Sequence, residues 1–144
     1  MDQPTTTTGN GIRANGGNIS LWILQIVLGG LFIINFGPGK LLGSEQSVEL
    51  FADIGAGQWL RYVTGTLEVA GGLGLLIPRL SGLAALGLTG VMGGAALTDM
   101  VIVDESPIAP LILLIAAAVI AWFRRDRSLA VLQQLRARRS PARS

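Results

Sequence analysis

The feature that most constrains this chain is a series of four long apolar segments joined by short polar connections. The segments cover residues 19–42, 59–77, 80–103 and 108–123. About 20 apolar residues are needed to cross the hydrocarbon core of a bilayer, and a backbone in lipid must satisfy its own hydrogen bonds. Transmembrane strands would alternate in polarity, which these segments do not do. The sequence therefore predicts an all-α membrane protein, folded as a bundle of four transmembrane helices.

The composition supports this class and excludes several kinds of chemistry. Only 14% of the residues are charged, against about 25% in an average soluble domain. The chain has no cysteine and no histidine, which excludes disulfides, thiolate catalysis, Cys/His zinc sites and histidine-ligated haem. The glycine-rich run at residues 71–74 lies inside an apolar segment with no strand before it, so it does not indicate a nucleotide-binding loop. We expect no catalytic residue and no metal site, and a protein that is not an enzyme on its own.

Polar segments frame the apolar part of the chain and divide it into three regions. Residues 1–18 are rich in Thr, Gly and Asn, and we expect a disordered tail there. Residues 19–125 form the expected membrane domain. Residues 126–144 form a basic tail, which lacks the aromatic residues that stack on bases and therefore does not indicate a nucleic-acid partner.

The charges of the connections predict an orientation in the membrane. The connections at residues 43–58 and 104–107 are acidic, whereas the turn between the second and third segments carries Arg79. Seven arginines and one acid follow Phe123. Because cytoplasmic loops are enriched in Lys and Arg, we expect both termini in the cytoplasm of a multi-pass protein of the plasma (inner) membrane.

The basic tail suggests a short amphipathic helix over residues 127–139, in which arginines flank Leu129, Leu132 and Leu135. Attraction of this tail to anionic lipid is the favoured interpretation. A docking helix for a soluble partner is the alternative.

Charged residues inside the apolar segments point to a polar site. Glu68 lies midway along the second segment, and Arg61 precedes it by seven residues, so both lie on nearly the same helix face, together with Thr64. In the expected topology Lys40 and Asp99 reach the same outer half of the membrane. We predict that these residues form one polar cluster, in which the four formal charges cancel. Two interpretations remain open: an ion-pair network that fixes helix register, and a site that binds a quinone head group or a small anion.

Small residues recur at a spacing of four in two segments, a pattern that lets membrane helices approach closely. Packing within the chain is favoured over homo-oligomer formation, which stays an alternative. The two sets are Thr66, Ala70 and Gly74, and Gly90, Gly94 and Thr98.

Three stretches of the chain carry a resemblance to a known family. They are Gly37-x-x-Lys40-Leu41, the run from Trp59 to Glu68, and the run from Gly71 to Leu80, which is followed by small residues. Together they resemble the DoxX-like family of small four-helix bacterial membrane proteins, over residues 19–125. The resemblance implies a compact four-helix bundle in which Lys40, Arg61 and Glu68 correspond to recurrent polar residues of the family. Asp99 stands where many members carry histidine, which weakens any mechanism that needs an imidazole there.

The resemblance also implies candidate functions. Named relatives are membrane subunits of oxidoreductase systems, including quinone-linked thiosulfate oxidation and a membrane complex with superoxide dismutase and a sulfurtransferase, and animal relatives resemble assembly chaperones for receptors. We therefore expect a non-catalytic membrane subunit or anchor of an oxidoreductase complex, with a soluble oxidoreductase or another membrane protein as partner and quinone as the candidate cofactor. The alternatives are a small transporter or channel, and an assembly factor for other membrane proteins.

Overall fold

The computed structural model describes residues 10–103 and 106–139, and every regular element in those ranges is helical. The all-α prediction is confirmed. In chain order the elements are α1 (Asn10–Leu31), a first π-helical segment (Phe32–Phe36), α2 (Gly37–Leu42), α3 (Glu45–Asp53), α4 (Gln58–Leu76), α5 (Ser81–Thr98), a second π-helical segment (Asp99–Val103), α6 (Ile108–Phe123) and α7 (Arg125–Arg139).

Two of the described helical stretches are long and apolar enough to cross a membrane, Gly17–Leu42 and Ser81–Ile102. A third candidate is the pair Ile108–Phe123 and Ser128–Arg138, which is bent by 64°. Helix α6 alone has 16 residues and is therefore about 24 Å long. Helix α4 has 19 residues but is not among these candidates. Its two charged residues and its glycines lower its mean hydropathy. The chain is thus an all-α membrane protein with two or three spans by length and composition, and the number four stays a prediction.

The first helix begins earlier than the apolar pattern indicates. Helix α1 starts at Asn10, so residues 10–18, expected to be disordered, are helical in the structure. Once the apolar segment has formed a helix, each further residue adds a hydrogen bond without a new nucleation step. Residues 1–9 and 140–144 of the two expected tails lie outside the described residues.

Four helices pack around one apolar core. Helix α1 contacts α4 and α6, and α5 also contacts α4 and α6, so these four close a ring. Glycines set the closest approach: a Cβ built on Gly72 would lie 2.9 Å from the carbonyl oxygen of Gly29. The buried side chains of the core are those of Leu28, Phe32, Leu75, Ala85, Leu88, Met92, Ala117 and Ile120.

The two stripes of small residues differ in their surroundings. A Cβ on Gly74 would lie 2.7 Å from the Cβ of Ala84, so this glycine packs α4 against α5. Gly90 and Gly94 face open space, with no atom within 4 Å of an added Cβ. Gly74 thus packs within the chain, whereas Gly90 and Gly94 make no such contact among the described residues, and the choice between packing and homo-oligomer formation for them stays a prediction.

A short helix closes one end of the molecule, which we call the α3 end. The chain leaves α2 through Gly43, whose φ of 75° lies in the left-handed region that favours glycine. Helix α3 follows and packs on α4 and on the second π-helical segment, with Phe51 buried. The opposite end carries the turn at Pro78 and helix α7, and we call it the α7 end.

Candidate functional site

A buried ion pair joins α2 to α4. The Nζ atom of Lys40 donates to Oε1 of Glu68 at 2.5 Å, and the side chains are 17% and 1% exposed, respectively. Two glycines make this approach possible. A Cβ on Gly65 would lie 3.0 Å from the Cβ of Lys40, and a Cβ on Gly37 would overlap Cγ2 of Val69. The small faces of α2 and α4 therefore bring the lysine beside the carboxylate.

The first π-helical segment decides which way Lys40 points. Pro38 has no N–H group, so it cannot donate to the carbonyl four residues earlier. One residue earlier, the N–H of Gly37 donates to the carbonyl of Phe32, five residues back rather than four. A helical residue turns the chain by 100°, so one extra residue in a turn rotates everything after it by about that angle. The π turn thus directs Lys40 toward α4, consistent with the frequent occurrence of such turns at functional sites.

Only one oxygen of the Glu68 carboxylate is satisfied. Oε1 accepts from Lys40, whereas Oε2 is buried and has no hydrogen-bond partner among the described residues. Buried polar groups are hydrogen-bonded in the great majority of cases, and an ionised carboxylate accepts through both oxygens. The free oxygen therefore provides an acceptor for a donor group brought by a ligand.

Arg61 binds the backbone of α2 and not the carboxylate. Its Nε donates to Oε1 of Gln58 at 2.8 Å, and its Nη1 donates to the backbone carbonyl of Lys40. The guanidinium also lies over the ring of Tyr62, with 4.4 Å between its central carbon and the ring centroid. A carbonyl in the last turn of a helix lacks a partner within that helix, and a cation there is favourable to the helix dipole. Arg61 is thus a positioning residue, which holds the end of α2 and with it Lys40.

The remaining two residues of the predicted cluster do not join the ion pair. Thr64 donates within its own helix, to the carbonyls of Leu60 at 3.0 Å and Arg61 at 3.1 Å. Asp99 begins the second π-helical segment, and its carboxylate makes no hydrogen bond or ion pair within residues 10–103 and 106–139. The structure therefore brings together Lys40 and Glu68, adds Arg61 through the backbone, and leaves Thr64 and Asp99 apart.

A second buried polar cluster lies at the α7 end, and the sequence did not lead us to predict it. The Nε2 atom of Gln25 donates to the carbonyl of Leu75 at 2.7 Å, and Nε of Arg124 donates to Oε1 of Gln25 at 3.0 Å. Both side chains are buried, and the Arg124 guanidinium lies 5.9 Å from the ring centroid of Trp22. The cluster ties α1, α4 and the end of α6 together.

The sequence does contain a signal for this second cluster. Ile77 has an extended backbone, as expected for a residue before proline, so α4 ends at Leu76. The carbonyls of its last turn then need partners from outside the helix. Gln25 is an amide in the first apolar segment, and it supplies one of these partners. On this ground, Gln25 could have been predicted to donate to a carbonyl in the last helical turn before Pro78.

All polar residues of the two clusters except Arg124 fall within a region that matches a known family. Residues 23–123 match the family model described as the DoxX-like family. The chain belongs to the DoxX-like family. This match covers most of the chain and confirms the resemblance. With the apolar helices, it assigns the DoxX-like protein to a membrane. Comparison with curated proteins and with solved structures finds no match.

Proposed function

We propose that this DoxX-like protein is a non-catalytic membrane subunit or anchor of an oxidoreductase complex, and that the Lys40–Glu68 pair contacts a quinone head group. The observation that carries the proposal is the Oε2 atom of Glu68, which is buried without a partner beside an oxygen already paired with a lysine. The ammonium of Lys40 can donate a hydrogen bond to a bound head group, and Oε2 of Glu68 can accept one from the same group.

This pairing suits both redox forms of a quinone. A quinone carbonyl accepts a hydrogen bond, as from the ammonium of Lys40, and a quinol hydroxyl donates one, as to the free oxygen of Glu68. Such bonds are stronger in an interior of low dielectric than in water. The chain has no cysteine or histidine, so its part is to bind and orient the head group, and an associated oxidoreductase exchanges the electrons.

The difference in exposure indicates the direction of access. Lys40 is 17% exposed, whereas Glu68 is 1% exposed. A head group would reach the lysine first, from the side of α2, and the carboxylate next. Rearrangement of the flexible lysine side chain would open the way to Glu68 without moving a helix.

We further propose that α4 and α6 cross the membrane together with the other two helices of the ring. The charged residues of α4, Arg61 and Glu68, are buried against neighbouring elements. The exposed side chains of α4 and α6 are mainly apolar or aromatic, which suits lipid contact. They include Tyr62, Val63, Leu67 and Leu73 on α4, and Ile108, Ile112, Ile115 and Trp122 on α6.

This topology places the α7 end in the cytoplasm and the α3 end outside. Arg79 and the arginines of α7 lie at one end, and Glu45, Glu49 and Asp53 lie in α3 at the other. The positive-inside rule then puts both termini in the cytoplasm. A reporter fused to the C-terminus should be active in the cytoplasm, and an extracytoplasmic signal would contradict the orientation.

The test compares Glu68→Gln with Glu49→Gln. Glu49 is an exposed acid of α3, so its replacement makes the same chemical change away from the pair. Each protein is purified from membranes in mild detergent, and its lipids and partners are identified by mass spectrometry. We expect quinone and a redox protein with the parent and with Glu49→Gln, and about tenfold less quinone with Glu68→Gln, the effect of one lost charge-assisted hydrogen bond.

Finding neither a quinone nor a redox protein with the parent chain would refute the proposal. Solute flux in proteoliposomes that Glu68→Gln abolishes would instead favour the transporter. Loss of a client membrane protein on deletion, without bound quinone, would favour the assembly factor.

A further inference from the structure

A groove at the α7 end lies between the turn that joins α4 to α5 and the middle of α7. It has a volume of about 280 Å³ and is lined by Pro78, Arg79, Ala130, Val131 and Gln134. These residues come from parts of the chain about fifty positions apart. The groove forms because α7 bends away from α6 by 64° and packs beneath the start of α5.

The polar residues of the groove are cationic or neutral. Arg79 stands on one wall, and Gln134 stands on the other. Arg138 follows Gln134 by four residues, so it lies on the same face of α7, one turn further along. No acid is among the lining residues, and the nearest acid on this face of α7 is Asp126, one turn before Ala130 on the side of α6. An anion placed between the walls would therefore meet one guanidinium and one amide donor, with a second guanidinium next to them.

The rest of the groove is apolar and continues into the surface of the membrane domain. Pro78, Ala130 and Val131 form its apolar part. Ile77 and Leu80 flank the turn and are 46% and 40% exposed, so exposed apolar side chains lie beside the groove. A free anion would use only the polar walls, whereas a lipid would also use the apolar surface.

We infer that this groove binds the head group of an anionic phospholipid. The phosphate lies between Arg79 and Gln134, and the glycerol and acyl chains follow the apolar surface past Ile77 and Leu80. Guanidinium groups match phosphate oxygens in geometry, and bonds between them are among the stronger hydrogen bonds of proteins. This site is separate from the Lys40–Glu68 pair, which lies toward the α3 end.

The test measures lipid binding to the full chain after delipidation in detergent. Native mass spectrometry counts bound phosphatidylglycerol and phosphatidylcholine of identical acyl chains, for the parent, Arg79→Gln and Arg136→Gln. Arg136 is an exposed arginine two residues from Gln134, which places it on the other side of α7. Both variants lose one positive charge, but only Arg79→Gln changes the groove.

We expect Arg79→Gln to weaken phosphatidylglycerol binding by about 20-fold, the effect of losing a charge-assisted hydrogen bond. Arg136→Gln should weaken it by about twofold, since an exposed charge outside the site is screened by salt. Phosphatidylcholine should bind weakly to all three proteins. Circular dichroism of each protein shows that the helices are retained.

Two results would overturn the inference. Equal losses in the two arginine variants would show diffuse attraction between the basic tail and any anionic surface. Displacement of phosphatidylglycerol by inorganic phosphate at millimolar concentration would show a site for a free anion, in which the apolar surface takes no part.

Discussion

Replacing Lys40 by Met removes the cation beside Glu68 and keeps a flexible side chain of similar length. In the structure Nζ of Lys40 lies 2.5 Å from Oε1 of Glu68, and the carboxylate side chain is 1% exposed. In Lys40→Met the buried carboxylate loses the ammonium group at Oε1, while Oε2 has no partner among the described residues to compensate. We expect the free energy of unfolding to fall markedly, although the variant gains apolar character.

The expected size of the effect follows from the geometry. Two unit charges 2.5 Å apart attract by about 7 kcal/mol at an effective dielectric constant of 20. Most of this attraction is offset by the free energy needed to remove both ions from water. Breaking a buried pair by removing one partner typically costs about 3–5 kcal/mol. Lys40 is 17% exposed, so part of its hydration is retained, and we expect about 3 kcal/mol, the lower end of the range.

The double variant Lys40→Met/Glu68→Leu separates the loss of a pair from the loss of packing. Replacing both members of a buried ion pair by apolar residues is often neutral or stabilising, since no ion then has to leave water. We expect the double variant to be about 2 kcal/mol more stable than Lys40→Met alone. Arg136→Met, which removes an exposed cation from α7, should change the free energy of unfolding by less than about 1 kcal/mol.

Reversible unfolding in mixed micelles measures these differences. Sodium dodecyl sulfate is titrated against each protein in a mild detergent, and unfolding is followed by the fluorescence of Trp22, Trp59 and Trp122 and by circular dichroism. If the double variant is no more stable than Lys40→Met, the argument that an uncompensated buried carboxylate causes the loss is wrong. If Lys40→Met unfolds as the parent does, the pair contributes nothing to folding.

The same unfolding titration tests two further predictions. Gln25→Met removes the donor to the buried carbonyl of Leu75, and we expect a loss of about 1–3 kcal/mol; an unchanged midpoint would show that this carbonyl finds another partner. Gly72→Ala places a Cβ about 2.9 Å from the carbonyl oxygen of Gly29 and should destabilise by about 1–3 kcal/mol, whereas Gly90→Ala, which faces open space, should stabilise by up to about 1 kcal/mol. Equal effects of the two alanines would contradict the assignment of Gly72 to a helix contact.

Part of the candidate site could be predicted from residue types and spacing. Glu68 in an apolar segment indicates a buried partner, because an ionisable group in a membrane helix needs one. Lys40 could be proposed as that partner, since it ends the preceding apolar segment and lies at a similar depth in the expected topology. The choice between Lys40 and Arg61 could not be made in this way. Arg61 is close to the Glu68 carboxylate along the chain, and Lys40 is close to it in expected depth. Only the directions of the two side chains decide which of them forms the ion pair.

Those directions depend on local backbone geometry, which the pattern of apolar and charged residues does not predict. The π turn before Pro38 rotates Lys40 toward α4, and Gly37 and Gly65 let α2 come near enough for contact. Arg61 extends in the other direction, to the backbone carbonyl of Lys40. Asp99, which was expected at the same depth, has no ionic partner among the described residues because depth alone does not set which way a side chain faces.

The lipid environment of this protein and its all-α class follow from the amino-acid sequence alone. Long apolar segments can be stable in lipid only as structures that satisfy their own backbone, so helices follow from composition and length. The tertiary structure decided which polar groups meet. It paired Lys40 with Glu68, brought Gln25 to the end of α4, and turned Gly90 and Gly94 away from the core. The physical reason is the length scale of each interaction. The preference of a segment for lipid is summed over about 20 residues, whereas an ion pair or hydrogen bond forms only when two atoms lie about 3 Å apart. Contacts of that precision arise only when helices have packed.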